Sequence, residues 1–213
     1  MRLESIKDKK NHEEVGKMDR ITELETYIQE YREKRLKERT EYTAGNYKRM
    51  IPAFDSKLDV LIEAQEARQE VGGQDKIKYL TFFRLISSNY TESYEMAVGM
   101  STSMLYMDKG TTYVFWTPEI VYDSIRKDMA ELEKMLRKDF LRLEKYELFC
   151  LKRLLLYDNW QVFQTVIKPI VQEIAGKFTA SSLMLEDKLQ VLCGDYMDQV
   201  NGICSIEVGR SGK

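Results

Sequence analysis

Histidine is almost absent: His12, in a polar opening stretch, is the only one in the chain, which removes most Ser-His, Cys-His and His-metal mechanisms at once. Cysteine is scarce as well. Cys150, Cys193 and Cys204 are an odd number with no C-x-x-C pair, so neither a disulfide framework nor a zinc site is expected. All three read as small buried hydrophobes of a reducing compartment. Only 3 prolines and 11 glycines are spread over 213 residues, which excludes collagen-like and low-complexity classes. No phosphate-binding glycine loop, dinucleotide fingerprint, nucleophile elbow or calcium loop occurs, and nucleotide-binding readings lose their usual support. No uncharged run nears the roughly 18–20 residues that span a bilayer, and MRLESIKDKKNHEEVGK lacks the apolar centre of a signal peptide. The expected location is the cytoplasm, with no membrane association. Neither sign of charge dominates: 33 basic residues face 35 acidic ones, for a net charge of -2, which disfavours a nonspecific grip on nucleic-acid phosphates.

What remains is a chain with 43% hydrophobic and 32% charged residues, rich in helix formers and large enough to bury a core without staples. Residues 1–18 are expected to be frayed, 19–204 to form a single α+β domain, and 205–213 to be a flexible tail. From Asp19, a fair N-cap, Ile21, Leu24, Ile28, Tyr31 and Leu36 recur at near-helical intervals up to Gly45-Asn46. Arg32, Lys34, Arg35, Lys37 and Arg39 are interleaved with Glu30, Glu33 and Glu38, the pattern of a solvated helix face rather than a basic patch. A second helix places Met50, Phe54, Leu58, Leu61, Ile62 and Gln65 on one face, with Pro52 in its first turn and Gly72-Gly73 as its stop. The two together read as an antiparallel hairpin.

After the paired glycines the period changes. In SYEMAVGMSTSMLYM, Met96, Met100, Met104 and Met107 fit a helical stripe, while Tyr94, Met96, Val98, Met100, Met104 and Tyr106 fit strand alternation. Alternation is the better match, because Val, Gly, Ser and Thr in succession cost a helix up to about 1 kcal/mol each against Ala. With Asp108-Lys109-Gly110 as a tight connection whose Gly takes the left-handed position, a three-stranded antiparallel meander is expected over 77–88, 92–104 and 111–116.

WTPEI then signals a helix start, with Thr117 as N-cap and Pro118 at the first helical position. Apolar residues follow at helical spacing from Val121 to Leu154, and Val121, Leu132, Leu143 and Leu154 are eleven apart. A continuous helix to Tyr157 would be about 60 Å long, so it either breaks near Asp139 or projects and needs a companion. Asp158-Asn159 marks the next boundary and Gly176 the end of the following helix. A final helix from about Ser182 to Val200 would carry Leu185, Leu189, Leu192, Tyr196 and Val200 on one face, with Glu186, Asp187, Asp195 and Asp198 as its charged solvent side.

Two charges look out of place, Arg84 inside FFRLI and Glu95 inside SYEMA. Paired across adjacent strands, with Tyr106 and Trp116 nearby, they would form a ligand-binding site; unpaired, each points to water from a half-exposed sheet. Two functional readings follow. The first is a non-catalytic protein–protein interaction or scaffold protein, self-associating through the long helix or the sheet face, since Tyr, Trp and Met are the residues that interfaces prefer. The second is a small-ligand binder or His-independent enzyme with a pocket between the sheet and the long helix, built on Arg84, Glu95, Tyr106 and Trp116. Neither reading needs a cofactor or a metal, and single-stranded nucleic acid is disfavoured by the acidic balance. The stretch YLTFFRLISSNYTESYEM, followed by LYMDKG and a charged helix, resembles an uncharacterised family of Firmicutes-type bacterial proteins. That resemblance covers about the middle half of the chain and implies a bacterial, cytoplasmic protein with no attached activity.

Overall fold

A computed structural model describes residues 20–72 and 76–208; His12, Asp19 and Gly73 lie outside the described residues, as do 1–18. The chain is α+β and mostly helical. It begins with α1 (residues 20–27) and α2 (Gln29–Asn46), which a single turn residue, Ile28, separates. Leu24 and Ile28 are fully buried. Further along, the same inward seam turns ionic. Arg32 binds Asp158 through Nε and Nη2 at 3.0 and 2.6 Å, and Arg35 reaches Asp128 at 2.7 Å and Asn159 at 2.8 Å. Arg39 meets Asp123 at 2.7 Å. The arginines expected on a solvated face are therefore split: Arg32, Arg35 and Arg39 point inward at spacings of three and four, while Lys34 and Lys37 stay in water.

A one-turn 3₁₀ helix (Tyr47–Met50) leads into α3 (Ile51–Glu70), which starts with Pro52 in its first turn and is followed by Gly72 at φ 94. Phe54, Leu58, Leu61 and Ile62 line its buried face, as the periodicity requires. The meander follows as β1 (Ile77–Arg84), β2 (Met96–Ser101) and β3 (Thr112–Trp116), paired antiparallel in order. Its strands are shorter than expected. Residues 86–91, partly assigned to the first strand, coil into α4 (Ile86–Thr91). Residues 102–111 form a loop in which Leu105, not Gly110, takes the left-handed conformation, at φ 47. Asp108 holds that loop closed by accepting from the amides of Thr102 and Gly110, both at 2.7 Å.

The next helices are α4's successors α5 (Glu119–Tyr122), α6 (Ile125–Asp139) and α7 (Lys145–Ala180). Thr117 does not cap α5; its hydroxyl donates to the Ser93 carbonyl at 3.1 Å and ties the start of the helix to the entrance of β2. The long apolar seam breaks beside Asp139, where Phe140 turns extended. It restarts at a capping box in which the Glu144 and Glu147 side chains satisfy each other's backbone amides. From there α7 runs 36 residues, about 54 Å. It passes through Asp158-Asn159 and Gly176, expected as a boundary and an end, and carries Pro169 in its interior. Val162, Phe163, Val166, Ile167, Ile170, Val171 and Ile174 are buried around the proline. Burying that many large apolar side chains, at about 1.5–3 kcal/mol each, outweighs the roughly 3 kcal/mol that an internal proline costs.

The C-terminal segment overturns an expectation. No helix forms over 182–200; the chain makes β4 (Leu185–Asp195) and β5 (Val200–Glu207). β4 inserts parallel to β1, giving a five-stranded mixed sheet in the order β3-β2-β1-β4-β5. Leu185, Leu189, Leu192 and Tyr196 do fall at helical intervals, but the same residues carry Leu189, Val191 and Cys193 at period two, all fully buried. Residues 205–207, assigned to the tail, belong to β5.

The sheet has two unlike faces. On one, Phe82, Trp116 and their neighbours pack under α3 and α7, with Phe54 4.5 Å from Trp116 and Phe163 5.8 Å from Trp116 between ring centroids. On the other, Phe83, Ala97, Gly99 and Tyr113 lie in register across β1, β2 and β3.

Candidate functional site

Arg84 ends β1, and its cross-strand partners place Asp195, Arg84, Met96 and Trp116 in one row over four strands. Because paired residues share a face, this row lies on the helix side. Arg84 donates from Nε and Nη2 to the two carboxylate oxygens of Asp195, each at 2.7 Å. Its guanidinium lies over the rings of Tyr157 and Trp160, at 5.4 and 5.6 Å. A bidentate pair flanked by two π faces fixes both partners more firmly than an exposed ion pair would be. Behind it, Tyr94 and Tyr122 stack at 5.1 Å. Burial pushes the Tyr122 phenol well above its ordinary range, with the Arg84 charge pulling weakly the other way. Burial likewise pushes up the thiol of Cys193, one residue pair away in β4, which keeps it a protonated, inert core group.

The four residues expected to form one site are separated. Arg84 and Trp116 share a row, two strands apart and so about 10 Å, but Trp116 is a core residue between Phe54 and Phe163. Glu95 is exposed and makes no pair with Arg84, whose carboxylate partner is Asp195. Tyr106 lies on the opposite face, stacked on Phe83 at 5.3 Å. Asp195 escaped notice because a helical reading of 182–200 turned it to solvent. The clue was available in GDYMDQVNG, a polar, glycine-flanked stretch between two alternating runs.

Above the Arg84–Asp195 pair opens a cavity of about 360 Å³. Ile21 and Glu25 of α1, Ile86 and Asn89 of α4, and Cys150, Arg153, Leu154 and Tyr157 of α7 complete its lining. Among the described residues no group of three His, Cys, Asp or Glu side chains gathers to hold a metal.

The second region of interest is the face away from the helices. The loop 102–111 folds back over the sheet and lays Tyr106 on Phe83, while Tyr113 and Tyr196 approach the same ring at 6.4 and 5.6 Å. Phe83 is fully buried beneath them. Gly99 makes this possible: a Cβ there would stand 2.5 Å from the Tyr113 ring. Burial raises the Tyr113 phenol to about 12, helped by the adjacent Tyr196, and raises that of Tyr106 as well. At the margins of this aromatic roof stand Phe115, Met104, Met107 and Met197, exposed by 51, 52, 76 and 66%.

No family model, curated protein or solved structure matches the chain. Among the described residues no helix is long and apolar enough to cross a membrane.

Proposed function

We propose that this chain is a non-catalytic interaction protein of the cytoplasm that associates with a second copy of itself through the face of the sheet turned away from α3 and α7. The observation that carries this reading is the run of exposed large apolar side chains on that face. Phe115 extends β3 beside Tyr113, Met104 and Met107 flank Tyr106 in the covering loop, and Tyr196 and Met197 tip the β4–β5 hairpin. Single exposed apolar residues are ordinary, but a contiguous aromatic and methionine surface is uncommon on a monomer, and both residue types are enriched in interface centres. None of the five exposed side chains, Phe115, Met104, Met107, Tyr196 and Met197, carries a charge, so a two-fold contact that sets them against their own copy has an uncharged centre. The other surface considered for self-association, the long helix from Pro118 to Tyr157, is less suited: it is divided among α5, α6 and the start of α7, and Ile125, Leu132 and Leu136 of α6 and Leu151 and Leu155 of α7 are already buried within the chain.

Sedimentation velocity over a concentration series tests this. The full chain is expected to move from monomer to dimer as concentration rises, and the Phe115→Ser, Met107→Ser double variant to stay monomeric with an unchanged far-UV spectrum. A wild-type chain that remains monomeric throughout the series overturns the reading.

A further inference from the structure

The cavity over Arg84 holds two opposite charges that are not spent on each other. Arg84 itself is neutralised by Asp195, so the pair forms a polar but uncharged floor. The remaining charges in the lining are Glu25 on α1 and Arg153 on α7. Among the described residues neither comes within 4.0 Å of an opposite charge, each other included. Arg32, which feels the Glu25 charge, is committed to Asp158 by two hydrogen bonds. The rest of the lining is aliphatic at Ile21, Ile86 and Leu154, with Asn89, Cys150 and Tyr157 beside them. Binding cavities commonly have this construction, an apolar lining with a few placed polar groups that orient the ligand, and about 360 Å³ lies at the small end of their range.

We infer that this cavity binds a small zwitterion with an apolar body, its carboxylate toward Arg153 and its ammonium toward Glu25. A simple carboxylate would satisfy Arg153 and leave Glu25 facing apolar ligand surface; a simple amine would do the reverse. Only a molecule carrying both charges answers both walls, and hydrogen bonds to charged groups are the contacts that discriminate most strongly. The site is separate from the self-association face, since Arg84 and Tyr106 lie on opposite sides of the sheet, so either can fail without the other.

Calorimetric titration of the full chain supplies the test. The probes are leucine and aminocaproate, in which the two charges are adjacent and separated, each beside its acid and its amine: isocaproate and isoamylamine, caproate and hexylamine. At least one zwitterion is expected to bind about tenfold more tightly than both of its singly charged counterparts. Glu25→Gln should erase the preference over the acid, and Arg153→Gln the preference over the amine. Both side chains reach solvent, so thermal melts of the two variants should match wild type. The inference is overturned if neither zwitterion binds, if acid or amine binds as well as its zwitterion, or if either variant leaves the preferences intact.

Discussion

One sheet is sealed in two ways. Toward the helices, Phe82 of β1 and Trp116 of β3 meet Phe54 and Phe163 in a closed aromatic core; toward the other side, small residues on β2 are roofed by tyrosines reaching in from a loop, a neighbouring strand and a hairpin. The first seal is built from secondary structure and the second from side chains alone. A helix layer buries whole faces, whereas a roof of side chains ends in ragged margins, and those margins are where Phe115, Met104, Met107 and Met197 are left exposed. The difference places the large aromatic core on one side of the sheet and the exposed apolar margin on the other.

The comparison breaks most visibly through Phe163. Truncation to Ala empties the centre of the helix-side core, where the ring meets Phe82, Trp116 and Trp160, and should cost about 3–5 kcal/mol in urea unfolding. Phe115→Ala, equal in chemistry but on the exposed margin, should change monomer stability by no more than about 0.5 kcal/mol. Equal losses at the two positions would mean that the two sides are not different in kind. Gly99→Ala probes the roof more gently. The added methyl must displace the Tyr113 ring, and a loss of about 1–3 kcal/mol is expected, with increased Tyr fluorescence quenching by iodide as the roof loosens. A value near zero would show that the tyrosine roof is not packed.

The smallest effect is one of pH. Tyr113 holds its proton up to about 12 in the folded chain against 10.0 for an unburied phenol. The folded state thus binds that proton more tightly, and the stabilisation it represents is complete below pH 10 and is lost as pH climbs toward 12. Tyr113→Phe should make the alkaline fall in urea midpoint shallower over that window, while leaving the midpoint near neutrality in place. An identical alkaline limb in the variant would mean that the phenol is no more buried than in the unfolded chain.

Much of the helical part was legible because its signals are local. Pro52, Gly72, the charge-rich stripe of α6 and the change of period after the glycines each act within a few residues. The elements that escaped are those decided at a distance. β4 satisfies helix and strand templates together, and only its place between β1 and β5 selects the strand. Pro169 and Gly176 are breakers by propensity, yet α7 continues through them because the sheet beneath rewards every apolar residue around them. Of the candidate site, Arg84 was recognisable as a charge within an apolar strand. Its true partner, Asp195, was hidden by the misread C-terminal segment, and the inward turn of Arg32, Arg35 and Arg39 was masked by the glutamates beside them.

The middle position of β1 sets an order of events during synthesis. Its antiparallel neighbour β2 emerges almost at once, but the parallel partner follows roughly a hundred residues later, after all of α7 has been made. Until then a row of unpaired amides and carbonyls on the central strand waits beside a half-built layer. A nascent chain of this protein is therefore expected to be most vulnerable to aggregation and to chaperone capture after α7 has emerged and before β4 does, and to become resistant only when the latecomer slots in.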